Sequence, residues 1–113
     1  MHEIRIAEDL SAIVLESAEK ENLTIVTKVS ISFGQMVQIV PDIFEFAFRE
    51  LVRNSVAEDA KLDIEIVKLE LKCMQCSSNF QIDENSFSCK MCGSSDLEII
   101  RGRELFVKSI EGE

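Results

Sequence analysis

In residues 4–22 the apolar positions recur at three- and four-residue steps: Ala7, Leu10, Val14 and Ala18 form a stripe, with Ile6 and Ile13 beside it and Arg5, Glu8, Asp9, Glu16 and Glu19 opposite. This spacing predicts an amphipathic helix. Beyond Asn22 the period changes to two. Ile25, Thr27, Val29, Ile31 and Phe33 alternate with Val26, Lys28, Ser30 and Ser32 until Gly34 breaks the pattern, which predicts a half-buried strand. Pro41, the single proline, and Asp42 suit the first turn of a second helix over residues 41–56, because proline lacks an N–H that would be unpaired there anyway. Phe44, Ala47, Phe48, Leu51 and Ser55 form its expected buried stripe. Ile43 and Phe46 lie off it, either packed as a second face against the sheet or left as a contact patch for a partner.

Residues 62–71 carry a phase change. Leu62, Ile64 and Ile66 occupy even positions, then Val67, Leu69 and Leu71 odd ones, and a period-two strand switches faces only with an extra residue. A bulge or bend near Ile66 and Val67 is expected. Residues 97–100 and 105–110 read as further strands joined by a turn around Gly102. The pattern as a whole predicts an α+β fold: two helices packed on a small, antiparallel three-stranded sheet, plus a zinc-ribbon-like lobe built on four cysteines. The order of elements also leaves open a parallel β–α–β unit over residues 25–71. The expected division is residues 1–71 with 102–113 as one domain and 72–101 as the other.

The lobe is identified by Cys73-Met-Gln-Cys76, twelve intervening residues, and Cys89-Lys-Met-Cys92. Two C-x-x-C knuckles each present two soft thiolates to one side of an ion, as tetrahedral Zn(II) requires. Disulfides need an oxidising compartment that nothing in the sequence supports. An iron centre held by the same four thiolates, for electron transfer, is the chemical alternative, since tetrahedral sulfur ligation suits iron as well. Few large apolar residues besides Phe80, Ile82 and Phe87 are available to the lobe, so metal must supply much of its folding energy. Four thiolates around a divalent ion close the coordination shell, which makes this a structural site.

The chain has one histidine, His2. The α-amine of Met1, the backbone nitrogen of His2 and the His2 Nδ1 can chelate one ion through fused five- and six-membered rings, a nitrogen-rich set that favours tetragonal Ni(II) or Cu(II) over Zn(II). Glu3 can add its carboxylate or its own backbone nitrogen. Such a chelate needs a free terminus, and the bulk of His2 is expected to hinder removal of Met1. The helix dipole opposes a cation at this end, so an anionic ligand is needed to offset it. The Irving–Williams order places Cu(II) above Ni(II) in affinity, which leaves nickel selection to metal availability and partner recognition.

Composition narrows the partners. Twelve basic residues against 21 acidic ones give 113 residues a net charge of -9, which argues against nucleic acid and anionic membranes, since both need clustered Lys or Arg. No apolar run approaches the ~20 residues that span a bilayer, and no signal peptide is evident, so a cytoplasmic location is expected. With one terminal histidine, no Ser/His/Asp or Cys/His set is at hand, and a non-enzymatic role follows.

These residues together are similar to a known family. Met1-His2-Glu3, a helix, a strand ending at Phe33-Gly34, a second helix ending in Ser55-Val56-Ala57-Glu58 and C-x2-C-x12-C-x2-C resemble the HypA (HybF) hydrogenase nickel-incorporation proteins along essentially the whole chain. The resemblance implies a nickel metallochaperone that works with the GTPase HypB and the [NiFe]-hydrogenase large-subunit precursor, and in some bacteria with urease maturation proteins, as a monomer or weak homodimer. It places transient Ni(II) cargo on Met1, His2 and Glu3, and structural Zn(II) on Cys73, Cys76, Cys89 and Cys92. Two departures stand out. Some members carry an acidic residue ahead of the second helix, proposed to approach nickel, where this chain has Val40, with Asp42 two positions later as a candidate substitute. Some also carry histidines beside the zinc cysteines, and this chain has none. The competing class is a zinc-ribbon module that binds nucleic acid or protein, which explains the cysteines and leaves the terminus unexplained.

Overall fold

The computed structural model describes residues 2–81 and 87–113; Met1 and Ile82 lie outside the described residues. The elements run α1 (His2–Lys20), β1 (Val26–Gly34), a 3-10 turn (Gln35–Val37), α2 (Pro41–Leu51), β2 (Lys61–Val67), β3 (Glu70–Cys73), β4 (Asn79–Gln81), β5 (Leu97–Arg101) and β6 (Leu105–Gly112). They form two three-stranded sheets, ordered β2-β1-β6 and β4-β3-β5. The chain separates into two compact units: Met1–Ser32, Ile39–Glu65 and Leu105–Glu113 make the first, Phe33–Gln38 and Ile66–Glu104 the second.

In the first unit the stripe of α1 is buried as its spacing predicts, with Ala7, Leu10, Val14 and Ala18 all inaccessible and Ile13 on the surface. Its core adds Val29 and Ile31 of β1 and Phe44 and Phe48 of α2, whose rings lie 5.9 Å apart. The first part of β1 departs from simple alternation: Val26 is buried and Ile25 is exposed. Ile25 exchanges two backbone hydrogen bonds with Glu113, whereas the Val26 N–H bonds to the Val56 carbonyl. The pairing of Ile25 with Glu113, and of Gly34 with Glu104 in the second unit, makes β1 and β6 antiparallel. On the other edge, the contacts Lys28–Asp63 and Ser32–Glu65 advance in the same direction along both strands, the order of a parallel β1–α2–β2 crossover.

The second helix stops five residues before its expected end. The Val52 N–H still bonds to Phe48 C=O, but Asn54 adopts φ 63°, which no helix accommodates, and Ser55 caps a series of turns through its hydroxyl. Val52 then takes the buried place expected of Leu51, which is exposed. Ile43 and Phe46 are not packed against the sheet. Phe46 is 70% accessible, and together with Ile4, Ile43, Ala47, Glu50 and Leu51 it lines an apolar groove.

The phase change in residues 62–71 proves larger than a bulge. Leu62 and Ile64 are half-buried along β2, Ile66 is exposed, and Leu69, just ahead of β3, and Leu71 within it are buried, so the chain leaves one sheet and enters the other. In the second sheet β3 is central and antiparallel to both neighbours, with Leu71 opposite Phe80 and Ile99. A register shift between Glu70 and Leu71 marks its entry. Among the described residues, Leu69 and Leu71 form this sheet's buried aliphatic cluster, with Phe80, Leu97 and Ile99 packed against it and partly buried. The strand β4 carries too short a pattern, three residues, to be read from periodicity.

Candidate metal centres

Strand β3 ends at Cys73, and a tight turn brings Cys76 back beside it. Cys73 C=O accepts the Ser77 N–H at 2.9 Å and Ser78 C=O accepts the Cys73 N–H at 2.9 Å. The second knuckle repeats this: Cys89 C=O accepts the Gly93 N–H and Ser94 C=O accepts the Cys89 N–H, both at 2.8 Å. Each turn needs a left-handed residue after its second cysteine, supplied by Ser77 at φ 63° and Gly93 at φ 77°. The four sulfurs lie within 4.8 Å of one another, Cys73 and Cys89 buried, Cys76 and Cys92 exposed.

The fit to a metal is quantitative. Across the knuckles, Cys73 Sγ lies 3.6 Å from Cys92 Sγ and Cys76 Sγ 3.6 Å from Cys89 Sγ. A disulfide would bring such a pair to ~2.05 Å. Tetrahedral sulfurs ~2.3 Å from a central Zn(II) stand about 3.8 Å apart. All four thiols are free, and their spacing matches the second arrangement.

Without metal, the sulfurs share their protons unevenly. The Ser78 hydroxyl and the Cys92 and Met91 backbone N–H groups stabilise the Cys89 thiolate and lower its pKa to about 6. Ser78, through its hydroxyl and its backbone N–H, also holds the Cys76 thiol below its usual range. At Cys92 the Ser94 N–H favours the thiolate, but the Cys73 sulfur, burial and the other two sulfurs outweigh it and push the group up to about 12. A metal must therefore displace protons from this cluster, and its affinity falls with falling pH.

At the other candidate centre, α1 begins at His2, with Glu3 in its first turn. His2 is exposed and Glu3 is buried, 6% accessible. The His2 Nδ1 stands 3.5 Å from Glu3 Oε1, while Glu3 Oε2 accepts the backbone N–H of Val40 at 3.2 Å. Val40 is the residue immediately before α2, so one buried carboxylate joins the starts of both helices. The hydrogen bond from its own backbone N–H, then that from Val40, holds the Glu3 carboxyl below its ordinary range against the opposing effect of burial. Asp42 is exposed in the first turn of α2. Met1, the remaining member of the predicted chelate, lies outside the described residues.

Sequence reasoning named all four cysteines, which the structure brings together, and His2 and Glu3, which it sets side by side. It missed Ser78, and it missed the role of the Val40 backbone, because a main-chain N–H carries no sequence signature. Among the described residues, no helix is long and apolar enough to cross a membrane.

Comparison with known proteins gives a consistent result. The family model described as hydrogenase/urease nickel incorporation, metallochaperone, HypA matches residues 1–112. The hydrogenase maturation factor HypA of Aquifex aeolicus is 38% identical over 113 residues, covering 100% of this chain and 98% of that protein. That of Caldanaerobacter subterraneus is 37% identical over 114 residues, covering 100% of both. The solution structure of the Ni metallochaperone HypA from Helicobacter pylori superposes with a TM-score of 0.69 at 29% identity, covering 97% of this chain and 96% of that one.

Proposed function

The chain belongs to the HypA family, the nickel metallochaperones of hydrogenase maturation, and we propose that it carries Ni(II) at its N-terminus on the Met1 amine, His2 and Glu3 while Cys73, Cys76, Cys89 and Cys92 hold a structural Zn(II). In this reading nickel belongs to residues 1–71 with 102–113, zinc belongs to 72–101, and the protein is a cytoplasmic carrier with no catalysis of its own. The observation that carries the nickel assignment is the buried Glu3 carboxylate between His2 Nδ1 and the Val40 N–H. Two helix N-termini meet there, and their dipoles oppose a cation. A fixed negative charge beside the imidazole offsets that field, whether Glu3 ligates the ion through a carboxylate oxygen or through its backbone nitrogen.

Nickel titration tests this. Chain with a native terminus should bind one Ni(II), whereas His2→Ala and a form extended before Met1 should each bind at least about 100-fold more weakly, more than the loss of a supporting hydrogen bond costs. Affinity should also fall between pH 8 and pH 6, because protons compete with the metal for its ligands. The Glu3 carboxyl, held below its usual range, stays ionised throughout that interval. Equal binding by all three forms would rule out the terminal chelate.

We place the partners, a HypB-type GTPase and the hydrogenase large-subunit precursor, on the apolar groove of Ile4, Ile43, Phe46 and Leu51. What supports this is its position: Ile4 follows Glu3 directly, and Ile43 lies one turn beyond Val40, so a partner seated there meets the start of both helices. Such exposed apolar surface marks contact sites on small proteins. Phe46→Asp should weaken binding of the GTPase at least about tenfold, a typical loss for an aromatic anchor, without changing thermal unfolding. Unchanged affinity by calorimetry would place the contact elsewhere.

A further inference from the structure

We infer that the Ser78 hydroxyl is a hydrogen-bond donor shared between the two cysteine knuckles, which sets how tightly the cluster holds its metal and how slowly its sulfurs react. This rests on the proposed tetrahedral metal site and names a positioning residue for it. The Ser78 Oγ lies 3.0 Å from Cys76 Sγ, in its own knuckle, and 3.5 Å from Cys89 Sγ, in the other. With metal bound, every thiolate accepts and none donates, so the one proton of the hydroxyl is directed at sulfur.

The internal comparison of the two knuckles isolates this residue. Both are six-residue turns with the same two backbone hydrogen bonds and a left-handed fifth residue, and both end in serine: Ser78 in one, Ser94 in the other. Their hydroxyls do different things. Ser94 Oγ accepts the Asp96 N–H at 3.1 Å and serves its own loop. Ser78 Oγ turns to the sulfurs instead. Cys89 also receives the Met91 N–H at 3.3 Å. Repetition of the backbone explains why a serine is tolerated at the sixth position, but it does not explain why one hydroxyl is aimed at the cluster.

The chemistry gives that aim a purpose. Four thiolates and one divalent ion leave a net charge of -2, and Cys76 and Cys92 are exposed. A hydrogen bond to a thiolate withdraws charge from sulfur, stabilises the anionic ligand set and lowers its nucleophilicity. Ser78 does this for one sulfur of each knuckle at once, and so links turns that are 13 residues apart at their nearest shared sulfurs.

The test compares four full-length, zinc-loaded proteins: wild type, Ser78→Ala, Ser78→Thr and Ser94→Ala. In competition with a chromophoric chelator, Ser78→Ala should lose about 10- to 100-fold in zinc affinity, the usual range for a group supporting a metal ligand. Ser94→Ala should match wild type, and Ser78→Thr, which keeps the hydroxyl, should restore most of the loss. In the Co(II)-substituted proteins the sulfur-to-metal charge-transfer bands should move to lower energy in Ser78→Ala only, because its thiolates keep more charge. Zinc release on treatment with N-ethylmaleimide should be fastest in the same variant. Unchanged affinity in Ser78→Ala, an equal loss in Ser94→Ala, or a loss without a band shift would overturn the proposal, the last because it would show an effect on the scaffold and not on sulfur. Failure of wild type to bind either ion would overturn the metal-site reading itself, so the two failures are distinguishable.

Discussion

Replacing Cys73 with serine should cost the protein the zinc proposed for its four-cysteine site and the order of residues 73–81 and 87–92. The reason lies in how little else holds the second sheet together. Among the described residues its buried aliphatic cluster is Leu69 and Leu71, with three partly covered neighbours, and burial of two leucines stabilises by roughly 3–6 kcal/mol. A structural zinc contributes about 10–16 kcal/mol of apparent binding energy, realised as folding energy. Cys73 is also the last residue of the central strand, β3, where Cys73 pairs with Leu97. Losing its sulfur therefore removes a ligand and loosens the strand that positions the others. Zinc content should drop from one per chain to near zero, and amide exchange of the lobe should become fast. The signal of α1 and α2 should persist, because their core of Ala7, Leu10, Val14, Phe44 and Phe48 is built from other elements. One retained zinc in an intact lobe would refute a four-cysteine structural site.

Gly34→Ala should destabilise the protein by about 3 kcal/mol or more, the range of severe overpacking, and lower the midpoint of thermal unfolding by about 10 °C or more. A methyl group there would stand 2.0 Å from the carbonyl carbon and oxygen of Gly102 and 2.5 Å from the Arg103 nitrogen. These are backbone atoms, which cannot rotate aside as a side chain would. The same approach supports two hydrogen bonds, from Gly34 N–H to Glu104 C=O at 2.7 Å and from Met36 N–H to Gly102 C=O at 2.8 Å. Gly34 has φ -76°, so its need for glycine is spatial. Gly102, at φ 117°, needs glycine for conformation as well. A shift of less than about 3 °C by calorimetry would mean that the two segments separate at little cost.

The sequence marked Gly34 as the end of a strand, and it is, but periodicity could not reveal that the residue is required by a partner 68 positions away. The same limit explains the other departures. Helix α2 carries its apolar spacing past Leu51, yet Asn54 turns the chain, and Val52 fills the space that spacing alone reserved for Leu51. The odd-even change at Ile66 and Val67 was legible as a discontinuity. Whether it meant a bulge or a passage between sheets depended on where β1 and β5 stood, and those strands belong to distant parts of the chain.

By itself the sequence determined what depends on neighbours along the chain: the α1 stripe, the strand character of β1, the proline start of α2 and the pairing of cysteines within each knuckle. Resemblance to a family, carried by Met1-His2-Glu3 and the cysteine spacing, supplied the nickel function. The tertiary structure alone decided which distant groups meet. It joined Glu3 to the Val40 N–H across 37 positions and set the Cys73 and Cys92 sulfurs 3.6 Å apart. It also aimed Ser78, and not Ser94, at the thiolates. The physical reason is that periodicity and ligand spacing arise from local backbone geometry, whereas a hydrogen bond between remote segments is fixed only once the packing of the whole unit has placed its donor and acceptor.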